Sequence, residues 1–103
     1  MSKLMLLFRR PADVVDFETR WSQEFVPKIE KVPGLRRVAV TRVTGGATGP
    51  VDLHLVHEFF FDNPEAVRHA MTSPEGQAAG RSLMSFAADH VTLCVAEHLE
   101  ESR

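Results

Sequence analysis

His57 and Glu58 stand side by side in the most hydrophobic segment of the chain, Leu53-His54-Leu55-Val56-His57-Glu58-Phe59-Phe60-Phe61. Imidazole and carboxylate are the usual groups for moving a proton near neutral pH. A strand that is apolar on both sides is covered on both sides. An ionisable group inside it must be paired, neutralised or turned toward a cavity, because an isolated buried charge is too costly. Alternation puts Leu53, Leu55, His57, Phe59 and Phe61 on one face and His54, Val56, Glu58 and Phe60 on the other. The first set is the more apolar and is assigned to the helix side, so His57 is expected in a helix–sheet cleft with Trp21 and Phe25. Its candidate role is a catalytic imidazole, against the plainer role of a core His bonded to an acceptor. Glu58 is then expected on the opposite face. It is either a general base or the partner of Arg9, Arg36 or Arg37 in an ion pair that favours one arrangement more than it adds stability.

Other chemistry is weaker. His54 and Glu58 share a face but stand roughly 13 Å apart on an extended strand, too far for one metal ion. His69, His90 and His98 have no ligand spacing, and no metal site is expected. Gly45-Gly46-Ala47-Thr48-Gly49 lacks the Lys-Ser/Thr end of a phosphate-binding loop and leads into a strand, so it reads as a hairpin connection. Phe17, Trp21 and Phe25 form a helical stripe that serves as core or lines an aromatic pocket. Arg81 is at most an anion contact on a solvated face. Cys94 is the only cysteine; it allows no internal disulfide and is expected to be a small core residue.

The elements that must position these groups follow in a regular order. Lys3–Arg9 alternates as a strand, and Asp13 is a good N-cap. A helix is expected from about Val14 to Lys31, with Val14, Phe17, Trp21, Phe25, Ile29 and Val32 inward, closed by Pro33-Gly34. Leu35 to Thr44 reads as a strand, followed by the His57 strand. Asn63-Pro64 starts a helix to about Met71, Ser73-Pro74-Glu75-Gly76 restarts it to about Ala88, and His90 to Leu99 is the last strand. The pattern is βαββαβ with a split second helix, an α+β, ferredoxin-like layer with both helices on one face. The other face would be bare and apolar, which predicts a second copy packed sheet to sheet as a homodimer.

Length and composition bound the rest. The 103 residues leave room for one domain. A net charge of -2 gives no reason to expect nucleic acid. The run Leu4-Met5-Leu6-Leu7-Phe8 is too short for a signal core or a membrane span. The expectation is a cytoplasmic protein.

Arg9, Asp13, Phe17, Trp21, Pro27, Pro33-Gly34-Leu35, Glu58-Phe59-Phe60-Phe61-Asp62 and Ser73-Pro74-Glu75-Gly76 together resemble the EthD family, over nearly the whole chain. The resemblance implies a dimeric α+β barrel with a pocket between helices and sheet in each subunit. Superfamily relatives include cofactor-free monooxygenases, haem-degrading enzymes, lactone isomerases and polyketide cyclases. Many members resembling this pattern carry a His two residues before the helix proline, where this chain has Phe25.

Two functions are therefore expected. One is a small cofactor-independent enzyme acting on a hydrophobic, aromatic or polyketide-like metabolite by oxygenation, isomerisation or cyclisation. His57 and Glu58 would be catalytic, and Trp21, Phe25, Phe59 and Arg9 would hold the substrate. The alternative is a non-catalytic ligand-binding or accessory dimer of a catabolic gene cluster. No cofactor motif is visible, and none is expected.

Overall fold

The computed structural model describes residues 1–103. Its strands are β1 (Ser2–Phe8), β2 (Arg37–Arg42), β3 (Leu55–Phe61) and β4 (Val91–Glu97). They form one antiparallel sheet in the order β2-β3-β1-β4. The helices are α1 (Val14–Arg20), a π-helical turn Trp21–Phe25, α2 (Val26–Ile29), α3 (Pro64–Thr72) and α4 (Pro74–Ala87). This is the expected ferredoxin-like α+β fold, with its helices on one face of the sheet. No helix is long and apolar enough to cross a membrane.

α1, the π turn and α2 form a continuous rod. Asp13 opens it, its carboxylate accepting from the Asp16 amide at 2.9 Å. The buried residues Phe17, Trp21, Phe25 and Ile29 recur every four positions. At about 100° per residue, each such step overshoots a full α-helical turn by roughly 40°. Three steps would carry the stripe well away from the sheet. The wider π turn takes up that drift, the Val26 amide bonding to the Trp21 carbonyl. Pro27 makes the wide turn favourable, because it has no N–H to give and its ring would crowd the carbonyl four residues back. Gly34, at φ +80°, then turns the chain toward β2.

The split helix is built at Ser73. Its backbone amide closes α3 on the His69 carbonyl at 3.1 Å. Its hydroxyl donates to the Ala70 carbonyl at 2.6 Å and accepts from the Gly76 amide at 3.0 Å, capping α4. Asn63 caps α3 from the Ala66 amide at 2.8 Å. Gly76 lets α4 start directly over the end of α3, since a Cβ there would lie 2.1 Å from the Ala70 carbonyl oxygen.

The core lies between the layers. Leu4, Leu6 and Phe8 of β1 and Leu55, His57, Phe59 and Phe61 of β3 face Phe17, Trp21, Phe25, Ile29, Val67, Ala70, Ala79, Leu83 and Ala87. The opposite face carries Met5 and Leu7, as expected, but it is less apolar than the strand pattern implied. Phe60 is buried there beneath Lys3, Arg37 and His98.

Cys94 corrects the expectation of a core cysteine. It is exposed, because β4 is an edge strand and Cys94, opposite Met5, faces the uncovered side. His54 also departs from alternation. It precedes β3 and packs on the helix side, its ring 5.6 Å from that of Phe17, because the period of two holds only within the ladder.

Gly76→Ala is expected to destabilise the fold by about 2 kcal/mol or more, although glycine to alanine inside a helix ordinarily gains roughly 1 kcal/mol. Urea denaturation of the two proteins checks the sign.

Candidate functional site

A cavity of about 230 Å³ lies between the sheet and the helices. Leu4, Leu6, Phe59 and Phe61 form its floor, with Phe25 and Ile29 on one side and Leu83 on the other. Met71, Gln77 and Leu93 are exposed residues of its lining and mark its rim. Gln77 is the only polar side chain among the fourteen lining residues, and none of them is ionisable. The cavity has room partly because α4 carries glycine at 80, where an added Cβ would meet nothing within 4 Å. Glycine at such a place costs a helix roughly 1 kcal/mol relative to alanine. A local rule broken without structural need marks a place where function is sought.

His57 sits behind this wall. Its ring is 4.2 Å from Phe59 and 6.1 Å from Phe25, centroid to centroid, and those two rings, not the imidazole, line the cavity. The Trp21 indole donates to His57 Nδ1 at 3.2 Å. The partner is thus a donor, where the sequence had led us to expect an acceptor. Nδ1 must then be unprotonated and the ring proton sits on Nε2. Burial lowers the His57 pKa to about 4, because an apolar setting disfavours the imidazolium. At neutral pH His57 is an uncharged N–H bearer.

Glu58 lies on the other face of the sheet. Its carboxylate takes the Lys3 ammonium at 2.5 Å. Lys3 also donates to His98 Nδ1 at 3.2 Å, and Glu100 accepts from His98 Nε2 at 3.0 Å and from Arg37 at 3.0 Å. An arginine partner for Glu58 was expected, and this is corrected. Met5 opposes Glu58 in the ladder and Lys3 opposes Phe60, so the lysine reaches the carboxylate diagonally. Arg36 is held by Asp62 at 2.9 Å. Arg9 follows the far end of β1 and bonds to Thr92 Oγ1 at 3.0 Å and the Asp89 carbonyl at 2.8 Å. The structure therefore brings Trp21, Phe25, His57 and Phe59 together and leaves Glu58 and Arg9 outside the group. No three His, Cys, Asp or Glu side chains converge as metal ligands would.

A second polar cluster braces α1 against the sheet. Glu18 accepts from Arg42 at 2.8 Å and pairs with His54 Nε2 at 2.8 Å, while Arg42 lies 5.5 Å from the Trp21 ring centre. Arg42, and then His54, hold the Glu18 carboxyl below its ordinary pKa despite partial burial. Sequence reasoning missed this cluster, as well as Gly80, Gln77 and Leu83. For Gly80 the signal was present, a glycine inside an otherwise good helix; for Gln77 there was none.

An antiparallel ferredoxin-like sheet carrying an apolar cavity under its helices defines the class of protein. The EthD domain family matches residues 9–94, and the chain belongs to that family. An EthD family protein from Bacillus halodurans is 34% identical, with 96% of this chain and 99% of that one covered and a TM-score of 0.92. A dimeric ferredoxin-like protein of unknown function from Bacteroides fragilis is 23% identical, with 94% and 95% covered and a TM-score of 0.63. SnoaB, a cofactor-independent oxygenase from Streptomyces nogalater, shares the fold at 15% identity, with 98% and 94% covered and a TM-score of 0.66.

The His57 pKa makes a pH prediction. A histidine whose folded pKa is depressed binds protons first in the unfolded chain, so stability falls as pH drops from about 6.5 to about 4. The loss attributable to it is roughly 3 kcal/mol. His57→Gln keeps an acceptor for the indole but does not titrate. Denaturation from pH 7 to 4 should show the wild type losing its advantage over the variant across that window; a constant difference means His57 titrates normally in the fold.

Proposed function

We propose that this protein forms a homodimer, sheet against sheet, and that each subunit takes a neutral hydrophobic small molecule into the cavity beside Phe25 and transforms it without a resident cofactor. The transformation would be an oxygenation, isomerisation or cyclisation with one proton transfer. The observation that carries the reading is an apolar cavity, free of ionisable lining, kept open by a helix glycine that packing does not need. A charged ligand would find no counter-charge there. An apolar cavity of roughly 150 Å³ holds benzene, so about 230 Å³ suits a single substituted ring or a molecule of similar bulk.

Each residue has a place in this proposal. Phe25 and Phe59 shape the wall. Trp21 orients His57, and His57 sets the two rings and is the proton-bearing side chain packed directly on them. The imidazole does not itself line the cavity, so it acts through the two rings it holds in place. Glu58 with Lys3 fixes how the sheets meet. Two comparisons support the reading: SnoaB is a cofactor-independent oxygenase on this fold, and the protein from Bacteroides fragilis is dimeric.

A second reading, a binding or accessory dimer without catalysis, is favoured by one observation. The lining of the cavity offers no acid or base.

Native mass spectrometry of protein purified gently from its own host should show a dimer carrying a neutral organic adduct. Gly80→Leu, which fills the cavity and removes a helix glycine, should lose the adduct while unfolding at the same temperature or higher. The released molecule, incubated with protein in air without added cofactor, should be consumed. Retention without consumption establishes the binding reading, and an adduct that survives Gly80→Leu removes the cavity from both.

A further inference from the structure

We infer that Gln77 selects what enters the cavity, favouring a neutral single-ring molecule whose hydroxyl donates to Gln77 Oε1. This rests on the cavity reading above. Gln77 stands three residues before Gly80 on α4, so both lie on one helix face. Its Nε2 donates to the Thr72 carbonyl at 3.0 Å. A carbonyl only accepts, so the chemistry fixes which way the amide is turned: nitrogen on Thr72, oxygen unengaged. Oε1 and the second N–H have no partner within the chain, while the side chain itself belongs to the lining.

Every other lining side chain is apolar. A hydroxyl carried deeper into the cavity would be an unmet donor, costing roughly ten- to a hundredfold in affinity. Placed at the rim it can give its proton to Oε1 and accept from the free N–H, using both faces of one amide. The molecule is thereby oriented, with its ring toward Phe25 and Phe59 and its oxygen toward Gln77. A hydrocarbon of the same size gains nothing from the amide, whose oxygen stays hydrated at the exposed rim. A carboxylate meets no positive charge and presents that oxygen with a second acceptor. One rim residue thus supplies both the polarity filter and the direction of entry.

The test compares p-cresol and p-xylene, which differ by a hydroxyl in place of a methyl, binding to the intact protein by calorimetric titration. Wild type, Gln77→Leu, Gln77→Met and Gly80→Leu are measured, with thermal unfolding as the control for folding. Replacing Gln77 should weaken p-cresol relative to p-xylene by about five- to tenfold, with p-xylene unchanged or tighter. Gly80→Leu should abolish both. If Gln77→Leu and Gln77→Met alter the two probes equally or not at all, the selection by Gln77 is overturned while the cavity stands. If Gly80→Leu leaves binding intact, or neither probe binds the wild type, the cavity reading falls and this inference with it.

Discussion

Pro27 has no amide hydrogen, and much of the helix layer follows from that. The chain resolves the missing bond by opening the preceding turn, so that Val26 bonds back to Trp21 and the carbonyl beneath the proline ring is relieved of crowding. The wider turn keeps a four-residue apolar repeat pointed at one line of the sheet. Trp21 and Phe25 consequently face β3 together, and the indole N–H reaches His57 while the next ring inward becomes a cavity wall. A regular α-helix with the same residues would present one of the two obliquely. A local defect in backbone bonding is thus what makes the tertiary site possible.

The two faces of the sheet solve different problems with the same strand. On the helix side, β3 buries His57 uncharged and accepts a depressed pKa as the consequence. On the other side, Glu58 is paired with Lys3, and His98, Arg37 and Glu100 extend the network over Phe60. Adjacent residues in one strand therefore occupy opposite electrostatic regimes. The helix face is held by packing and one neutral hydrogen bond. The open face is held by paired charges, which favour one arrangement of side chains more than they add stability.

Element order, both helix caps, the split at Ser73 and the clustering of Trp21, Phe25 and His57 were legible in the sequence, because each rests on local pattern. Misreadings came where pattern stops short of three dimensions. His54 lies one residue outside the ladder, so alternation did not govern it. The Lys3 partner of Glu58 depends on register between strands far apart in the chain, and arginine was the default guess for a buried carboxylate. Cys94 reads as core because a free cysteine is usually buried, and nothing in the residues of β4 announces that it is an edge. Gly80 could have been read as a clue, but a glycine in a helix does not say whether it serves close packing, as Gly76 does, or empty space.

The chain contains one tryptophan and no tyrosine. Its near-ultraviolet emission therefore comes from a single indole. That indole is buried, has its N–H committed to His57, lies under Arg42, and is one helical turn from the cavity wall. Fluorescence lifetime and emission wavelength should report, without any label, the charge on the neighbouring imidazole, the integrity of the π turn and the filling of the space beside Phe25.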